Sequence, residues 1–199
     1  MKILDCHTHN LQATGAVISV DPRAFAPLQG RYYSVGFHPW TPESELSAAD
    51  YALLETVARH EQVVAIGETG MDRLRGDDLA TQQERFRRHI ALADALGKPI
   101  IIHCVRTMEE VLRLWQAMAP HRALPIVHGF RGNARRARRW VDAGFYLSFG
   151  AKFDEGGLLA TPVERRLAES DEGDFAATLR ALDETPFSPF DKILTQTYI

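Results

Sequence analysis

The stretch Ile3-Leu4-Asp5-Cys6-His7-Thr8-His9 puts two histidines directly after an apolar pair. The apolar pair predicts a short buried strand over residues 3–7. Because successive side chains of a strand point to opposite faces, His7 and His9 face the same way and can chelate one divalent ion. A single His-x-His motif often arises by chance, so its meaning depends on which residues follow the later strands.

Eight short apolar segments recur along the chain, and most are rich in Val, Ile and Leu without polar alternation. This pattern is typical of strands that are buried on both faces of a parallel sheet. The predicted strands are residues 3–7, 16–20, 33–37, 63–67, 99–103, 124–128, 145–149 and 166–169.

Segments with apolar residues at helical spacing separate most of these strands. Thr41-Pro42 predicts a helix start, with Thr as N-cap and Pro at the first helical position, and this helix is expected to run towards His60. Residues 21–31 are too short and too rich in Pro and Gly for a helix, and residues 151–164 allow at most a brief helical turn. The other predicted helices are residues 81–96, 108–118, 133–143 and 175–182.

Eight strands with intervening helices predict a (β/α)8 TIM barrel. The chain has 199 residues, against the usual length of about 250, so we expect a compact, slightly degenerate barrel with some short or missing helices. An open doubly wound sheet is the alternative. No linker or composition break divides the sequence, and a single domain over residues 1–199 is expected.

The composition, 45% hydrophobic and 25% charged, is typical of a globular protein. The net charge of -3 argues against a generally basic nucleic-acid-binding surface but leaves a local basic site open. Two cysteines are too few for a disulfide framework. Neither a signal peptide nor an apolar run of membrane-spanning length is evident, so we expect a cytoplasmic protein with no membrane association and no obligate protein partner.

Potential metal ligands follow several of the predicted strands, where a barrel carries its functional groups. Each has an ordinary alternative, since a lone histidine after an apolar strand usually belongs to the core or rim, and Glu169 or Glu172 are alternatives to Asp171. The joint placement of six ligands at strand ends is much harder to obtain by chance. The six candidates are His7, His9, Glu68, His103, His128 and Asp171.

Four histidines and two carboxylates satisfy two divalent ions and leave positions open for water and substrate. Imidazole ligands favour Zn or Mn, and also Co or Ni, over Mg. A metal-activated water would attack the substrate, and Asp171 would accept its proton because a ligand carboxylate lies within reach.

The sequence resembles the TatD-like metal-dependent deoxyribonucleases, within the amidohydrolase-type barrels. The resemblance covers residues 1–172, with Gly-Glu-x-Gly-x-Asp and His-Pro as its specific elements. The matching segments are Asp5-Cys6-His7-Thr8-His9, Val35-Gly36-Phe37-His38-Pro39-Trp40, Ile66-Gly67-Glu68-Thr69-Gly70-Met71-Asp72, residues 82–86, Pro99-Ile100-Ile101-Ile102-His103, His128-Gly129-Phe130-Arg131-Gly132 and Glu169-Ser170-Asp171.

The resemblance implies a two-metal hydrolase that cleaves the phosphodiester bonds of DNA as a 3'-5' exonuclease, with Mg as a further candidate metal. Asp171 and Glu68 are the expected catalytic residues. One metal would be held by His7, His9, Glu68 and Asp171, and a second, bridged by Glu68, would be completed by His103 and His128.

The sequence departs from the family pattern beside the ligands. His103-Cys104-Val105-Arg106 stands where the family has His-Ser-Arg-Asp, and His-Gly-Phe-Arg-Gly where it has His-Cys-Phe-Ser-Gly. Arg106 and Arg131 are candidates for holding the phosphate, and His38 and Asp72 for contacting the substrate and orienting a ligand, respectively.

These departures keep a second hypothesis open, in which the same site hydrolyses a small-molecule amide, lactone or phosphoester. A non-catalytic binding module is a third, and the intact ligand set argues against it. The arginines after His128 could bind a nucleic-acid backbone, whereas those near residue 86 are expected on a solvated face. These two groups are Arg131, Arg135, Arg136, Arg138 and Arg139, and Arg85, Arg87 and Arg88.

Overall fold

The computed structural model describes residues 2–183 and 185–194. In this part of the chain, eight parallel strands form a closed barrel, and Asp5 of the first strand pairs with Ala168 of the last. This closure confirms the predicted TIM barrel and excludes the open sheet. The strands are β1 (Asp5–Thr8), β2 (Ala16–Val20), β3 (Tyr32–Val35), β4 (Val63–Asp72), β5 (Ile100–Val105), β6 (Pro125–Val127), β7 (Tyr146–Phe149) and β8 (Arg166–Ala168).

Helices follow the strands from β3 onwards, while the connections before β3 hold only a short 3-10 turn, Pro22–Ala24. Among the described residues, no helix combines the length and the apolar character that crossing a bilayer requires. The helices are α1 (Ala48–Val57), α2 (Leu79–Leu96), α3 (Met108–Ala117), α4 (Ala134–Asp142), α5 (Glu155–Ala160), α6 (Phe175–Leu182) and α7 (Asp191–Leu194).

The helix predicted to open at Thr41-Pro42 begins later, at Ala48. Ser47 is its N-cap, because the hydroxyl of Ser47 accepts from the backbone of Asp50 while the Asp50 carboxylate accepts from the backbone of Ser47. This capping box satisfies two free backbone donors. Thr41-Pro42 instead leads into a 3-10 turn, and Pro42 offers no side-chain cap.

The arginines of α2 do not share one environment, contrary to the expectation of a solvated face. Arg87 and Arg88 are exposed, but Arg85 is only 1% exposed. The periodicity hides this because α2 packs on β4, and Arg85 reaches the loops that follow β3 and β4. Its guanidinium donates to the carboxylates of Glu43 and Asp77 and to the carbonyls of His38 and Pro39.

The interior of the barrel is filled by side chains contributed by nearly every strand, the arrangement expected of this fold. Phe190 and Ile193, near the end of the described chain, belong to the same cluster. The backbone N–H of Phe190 donates to the carbonyl of Ile3, just before β1. This segment therefore packs at the N-terminal ends of the strands, opposite the candidate ligands.

Candidate metal centre

The structure brings all six predicted ligands to the C-terminal mouth of the barrel. His7 and His9 come from β1 and the residue after it, Glu68 from β4 and His103 from β5. We call these six residues, together with His38, the mouth cluster: His7, His9, His38, Glu68, His103, His128 and Asp171.

Glu68 lies at the centre of the mouth cluster, and its carboxylate is 4% exposed. Its Oε1 lies 2.7 Å from Nδ1 of His103, 2.8 Å from Nε2 of His128 and 3.0 Å from Nε2 of His38. Its Oε2 lies 3.3 Å from Nε2 of His7 and 3.2 Å from Nε2 of His9. Five imidazoles therefore converge on one buried carboxylate.

Asp171 is held against β1 by its backbone. Its N–H donates to the carbonyl of His7, and its own carbonyl accepts from His9 N–H and from the Thr8 hydroxyl. The backbone of Asp171 is left-handed, with φ of 55°, a conformation that costs energy in a non-glycine residue. The result places Oδ1 3.8 Å from Nε2 of both His7 and His9.

Asp5 and Ser170 lock this junction between β1 and the end of β8. Both the backbone N–H and the hydroxyl of Ser170 donate to the buried carboxylate of Asp5. Burial raises the pKa of Asp5 to about 6, against these hydrogen bonds. Of the three acids considered after β8, only Asp171 belongs to one of the groups of the described chain whose ligand atoms could share an ion.

The charged groups of the mouth cluster strongly shift one another's pKa values. Burial alone would raise the pKa of Glu68, but the attraction of His128 and the hydrogen bonds from His103, His128 and His38 hold it well below its usual range. Burial disfavours charge on His128 too, yet Glu68 and Glu169 raise the pKa of His128 well above its usual value.

The pKa values of His9 and His38 shift in opposite directions. The hydrogen bond with Glu68 raises the pKa of His9. Burial lowers the pKa of His38 despite the same carboxylate. Trp40 N–H donates to Nδ1 of His38, so a neutral His38 carries its proton on Nε2, facing Glu68.

Several imidazole nitrogens in the cluster are buried without a hydrogen-bond partner, namely both ring nitrogens of His7 and Nδ1 of His128. An unsatisfied buried polar atom costs about 1–3 kcal/mol. Nitrogen lone pairs crowded around carboxylate oxygens are a donor set that suits Zn or Mn. The residues therefore fit a divalent metal, which would bind one nitrogen of each ring, such as the unpartnered Nε2 of His7.

Three groups have ligand atoms close enough to share an ion. The predicted association of Glu68 with His103 is present, but His38 completes that group, where the sequence suggested only a substrate contact. The position of His38, after β3 at the same end of the barrel, is the signal for this. The groups are His7, His9 and Glu68; His7, His128 and Asp171; and His38, Glu68 and His103.

Two further carboxylates support histidines of the cluster. Asp72 Oδ2 lies 3.2 Å from Nε2 of His103 and accepts from the indole N–H of Trp40. Glu169, fully buried, accepts from Gly129 N–H and has Oε1 3.6 Å from Nδ1 of His128. The role of Asp72 as an orienting residue was expected from sequence, but that of Glu169 was not.

Arg106 and Arg131 stand apart from the ligands. Both are exposed, and both line an open groove that has His128 at one edge. Arg106 has a left-handed backbone, with φ of 54°. Neither reaches Glu68, whereas His38 contacts it directly.

Comparison with known proteins places this chain in a family. The family model described as TatD related DNase matches residues 24–182. A Bacillus subtilis protein called uncharacterized metal-dependent hydrolase YabD is 34% identical over 70% of this chain and 58% of its own length. The uncharacterized metal-dependent hydrolase TatD of Mycobacterium tuberculosis is 37% identical over 70% of this chain and 57% of its own.

A third relative, from Klebsiella pneumoniae, is named 3'-5' ssDNA/RNA exonuclease TatD and is 32% identical over 71% of this chain and 57% of its own. The chain thus spans less than two thirds of the length of these relatives. Among solved structures, the Escherichia coli TatD homologue YJJV aligns with a TM-score of 0.79 at 22% identity, over 98% of this chain and 95% of that one. This last match supports the fold.

Proposed function

The chain belongs to the family of TatD-related DNases, and we propose that it is a metal-dependent hydrolase that cleaves phosphodiester bonds of nucleic acid. The observation that carries the proposal is the mouth cluster, with five imidazoles around Glu68 and buried ring nitrogens that lack hydrogen-bond partners.

We propose two divalent ions, Zn, Mn or Mg, as cofactors. His7, His9, Glu68 and Asp171 would hold one ion, and His103 and His128 would hold the other with Glu68 between them. The Nε2 of His38 also lies 3.0 Å from Glu68, but this nitrogen carries the proton, so we assign His38 a contact with substrate rather than with an ion. When bound, such ions supply an acidified water and offset charge on the phosphate.

The two carboxylates of the cluster are suited to different tasks. Glu68 is 4% exposed and surrounded by imidazoles, so it is suited to holding the centre together. Asp171 is 36% exposed and therefore open to solvent and substrate. We assign the proton-accepting role to Asp171, and phosphate contacts to Arg106 and Arg131, whose guanidinium groups match phosphate geometry.

Asp72 and Glu169 would orient two histidines of the mouth cluster whether or not substrate is bound. Asp72 would orient His103 through a hydrogen bond at Nε2, and Glu169 would hold His128 by charge, 3.6 Å from Nδ1, so that each ring presents its other nitrogen towards Glu68. Such partners raise the basicity of a ligand histidine and set its orientation.

We further propose that cleavage proceeds from a strand end, in the 3'-5' direction, as the name of the Klebsiella pneumoniae relative suggests. The test compares linear and closed circular DNA, each with the metal-loaded protein. Shortening of the linear strand, with the circle intact, is expected. Nicking of the circle at the same rate contradicts the end-directed reading.

The same screen includes a small ester, lactone and amide. Hydrolysis of one of these without any cleavage of DNA or RNA would replace the nuclease proposal with the small-molecule one. The metal centre would then remain, and only the substrate would change.

A further inference from the structure

An open groove of about 1150 Å³ begins at His128 and lies between the loops after β5 and β6 and the first turns of α3 and α4. Six arginines and two glutamates line it. We call it the arginine groove; its charged residues are Arg73, Arg106, Arg131, Arg135, Arg136, Arg139, Glu109 and Glu110. Its volume exceeds the range of about 300–1,000 Å³ that is usual for small-molecule sites.

Both glutamates of the groove are already paired. Glu109 accepts two hydrogen bonds from Arg139, and Glu110 accepts one from Arg73. In the described part of the chain, the remaining four arginines have no carboxylate within salt-bridge distance. These four are Arg106, Arg131, Arg135 and Arg136. A local excess of positive charge therefore opens beside the mouth cluster of a chain whose net charge is -3.

The position of two of these arginines has a stability cost. Arg135 and Arg136 lie in the first turn of α4, which contains no acidic residue and is capped by Asn133. The N-terminus of a helix carries partial positive charge, so cations there are unfavourable by about 0.3–1 kcal/mol each. A sequence that breaks a local rule in this way does so most often at a functional site.

The edge of the groove connects it to the metal-ligand residues. His128 lines the groove, its side chain is 9% exposed, and its Nδ1 has no hydrogen-bond partner. A phosphate that contacts the four free arginines can therefore belong to the same strand as a phosphate at the mouth cluster.

The described lining of the groove offers no exposed aromatic ring of Phe, Tyr or Trp on which a base could stack. Its two aromatic residues, Phe130 and Trp140, are buried at 6% and 2% exposure and offer no face for stacking. Grooves that bind single strands without sequence preference follow the backbone with positive charge, and they add stacking where aromatic side chains are exposed. In this groove only the first of these devices is present.

We propose that the arginine groove binds the sugar–phosphate backbone of a single nucleic-acid strand, a few nucleotides from the bond that is cleaved, without regard to base sequence. This inference rests on the proposed function for the position of the cleaved bond. It adds the part of the substrate that is recognised and the residues that recognise it, Arg135 and Arg136 above all.

The test measures binding of fluorescent DNA and RNA strands of about two and about twelve nucleotides, a range that spans the footprint of one binding groove. The metal-loaded Asp171→Asn protein is used so that the strands are not consumed. Adding Arg135→Ala and Arg136→Ala should lower affinity for the long strand about ten-fold, alike for all base compositions. The slope of log affinity against log salt should become shallower by about 1.4, since each phosphate contact contributes about 0.7.

Arg59→Ala with Arg122→Ala is the matched control, because it removes the same charge from exposed residues outside the groove. Replacing Arg135 and Arg136 by lysine should restore the salt slope. The thermal unfolding temperature should not be lower after the Arg135→Ala and Arg136→Ala substitutions, because they remove two cations from the positive end of α4.

Two outcomes separate this inference from the proposed function. If the wild-type protein cleaves no nucleic acid but Arg135 and Arg136 still govern strand binding, the groove stands and the nuclease fails. If strands are cleaved but the alanine variant keeps the wild-type salt slope, or the control loses as much affinity, the groove assignment is wrong. If the protein binds DNA and RNA strands with different affinities, the strand that binds more tightly identifies the backbone that the arginine groove recognises.

Discussion

Two polar clusters flank the end of β4, and their hydrogen bonding differs. The mouth cluster crowds five imidazoles around Glu68 and leaves buried ring nitrogens without hydrogen bonds. On the other side, α2 contributes a network of three buried residues, Gln82, Arg85 and His89, in which all side-chain polar groups are paired. We call these three the α2 network.

The bonding in the α2 network is complete. The Gln82 amide accepts from Asp72 N–H and donates to three backbone carbonyls. The Arg85 guanidinium uses all three nitrogens. Nε2 of His89 accepts from Phe37 N–H, and its Nδ1 donates to the Arg85 carbonyl. A fully satisfied network of this kind makes structure rigid.

This difference in hydrogen bonding distinguishes a structural network, the α2 network, from a candidate functional site, the mouth cluster. The α2 network holds the backbone at His38, a member of the mouth cluster, and at Asp72, which contacts His103 of that cluster. The unsatisfied nitrogens of the mouth cluster form hydrogen bonds to no other group of the described chain, and a metal bound by one nitrogen of each ring would offset part of their cost. Variants in the mouth should therefore affect metal and activity, whereas variants in the α2 network should affect stability.

The largest effect is expected from His7→Ala combined with His9→Ala. Loss of two ligands should remove at least one ion per chain. Hydrolysis should fall by more than about 10⁴-fold, because residues that act as one catalytic unit fail together when part of the unit is removed. The metal-free variant should unfold at the same temperature as the metal-free wild type or higher. Elemental analysis and thermal scans measure these effects, and unchanged metal content would refute the ligand assignment.

Asp171→Asn should have the next largest effect. The substitution keeps size and one oxygen ligand but removes the proposed proton acceptor, so turnover should fall by about 10²–10⁴-fold. Metal content should fall less than in the double histidine variant. Glu172→Gln is the control, because Glu172 belongs to none of the ligand groups in the described chain. If Asp171→Asn kept full activity while Glu172→Gln lost it, the proton-accepting role would have to be reassigned from Asp171 to Glu172.

Arg85→Ala probes the α2 network. It removes a buried cation from Glu43 and Asp77, and breaking a buried pair costs about 3–5 kcal/mol. Both acids are partly exposed, so we expect the lower end, about 3 kcal/mol, in the free energy of unfolding. Arg88→Ala, with a half-exposed side chain, should cost at most about 1 kcal/mol. Equal costs in denaturant titrations would mean that burial does not distinguish these arginines.

The sequence predicted the barrel and the end at which His7, Glu68 and His103 lie, because strand-end position follows from apolar runs and chain order. It could not show that Arg85 is buried, since Arg85, Arg87 and Arg88 look alike in a helical segment. Their difference arises from Glu43 and Asp77, which lie on loops that only the fold brings together.

The site shows the same limit. His38 was recognised as a candidate residue, but its 3.0 Å approach to Glu68 depends on the course of the loop after β3. Glu169 was considered as an alternative to Asp171 at the end of the predicted strand. In the structure its side chain is buried beside His128, and Asp171 lies at the mouth. The direction in which one side chain points at the end of a strand depends on tertiary structure, and the pattern of apolar residues does not predict it.

The smallest predicted effect is a pH dependence carried by His89. Burial lowers the pKa of His89 from 6.5 to about 4 in the folded protein, despite the hydrogen bond to the Arg85 carbonyl. Between these values the unfolded chain binds the proton more strongly, so the free energy of unfolding falls as pH decreases. From about pH 7 to about pH 5, the contribution of His89 to stability should decline by about 2 kcal/mol.

The measurement compares wild type with His89→Gln in denaturant titrations at several pH values. Glutamine keeps one donor and one acceptor but does not titrate, so the difference between the two proteins should shrink by that amount as pH falls. Asp5, whose pKa is raised to about 6, acts in the opposite sense, because its contribution is lost as pH rises. Both proteins retain Asp5, so it cancels in the difference. A difference that stays constant with pH would mean that His89 is not held neutral by the α2 network.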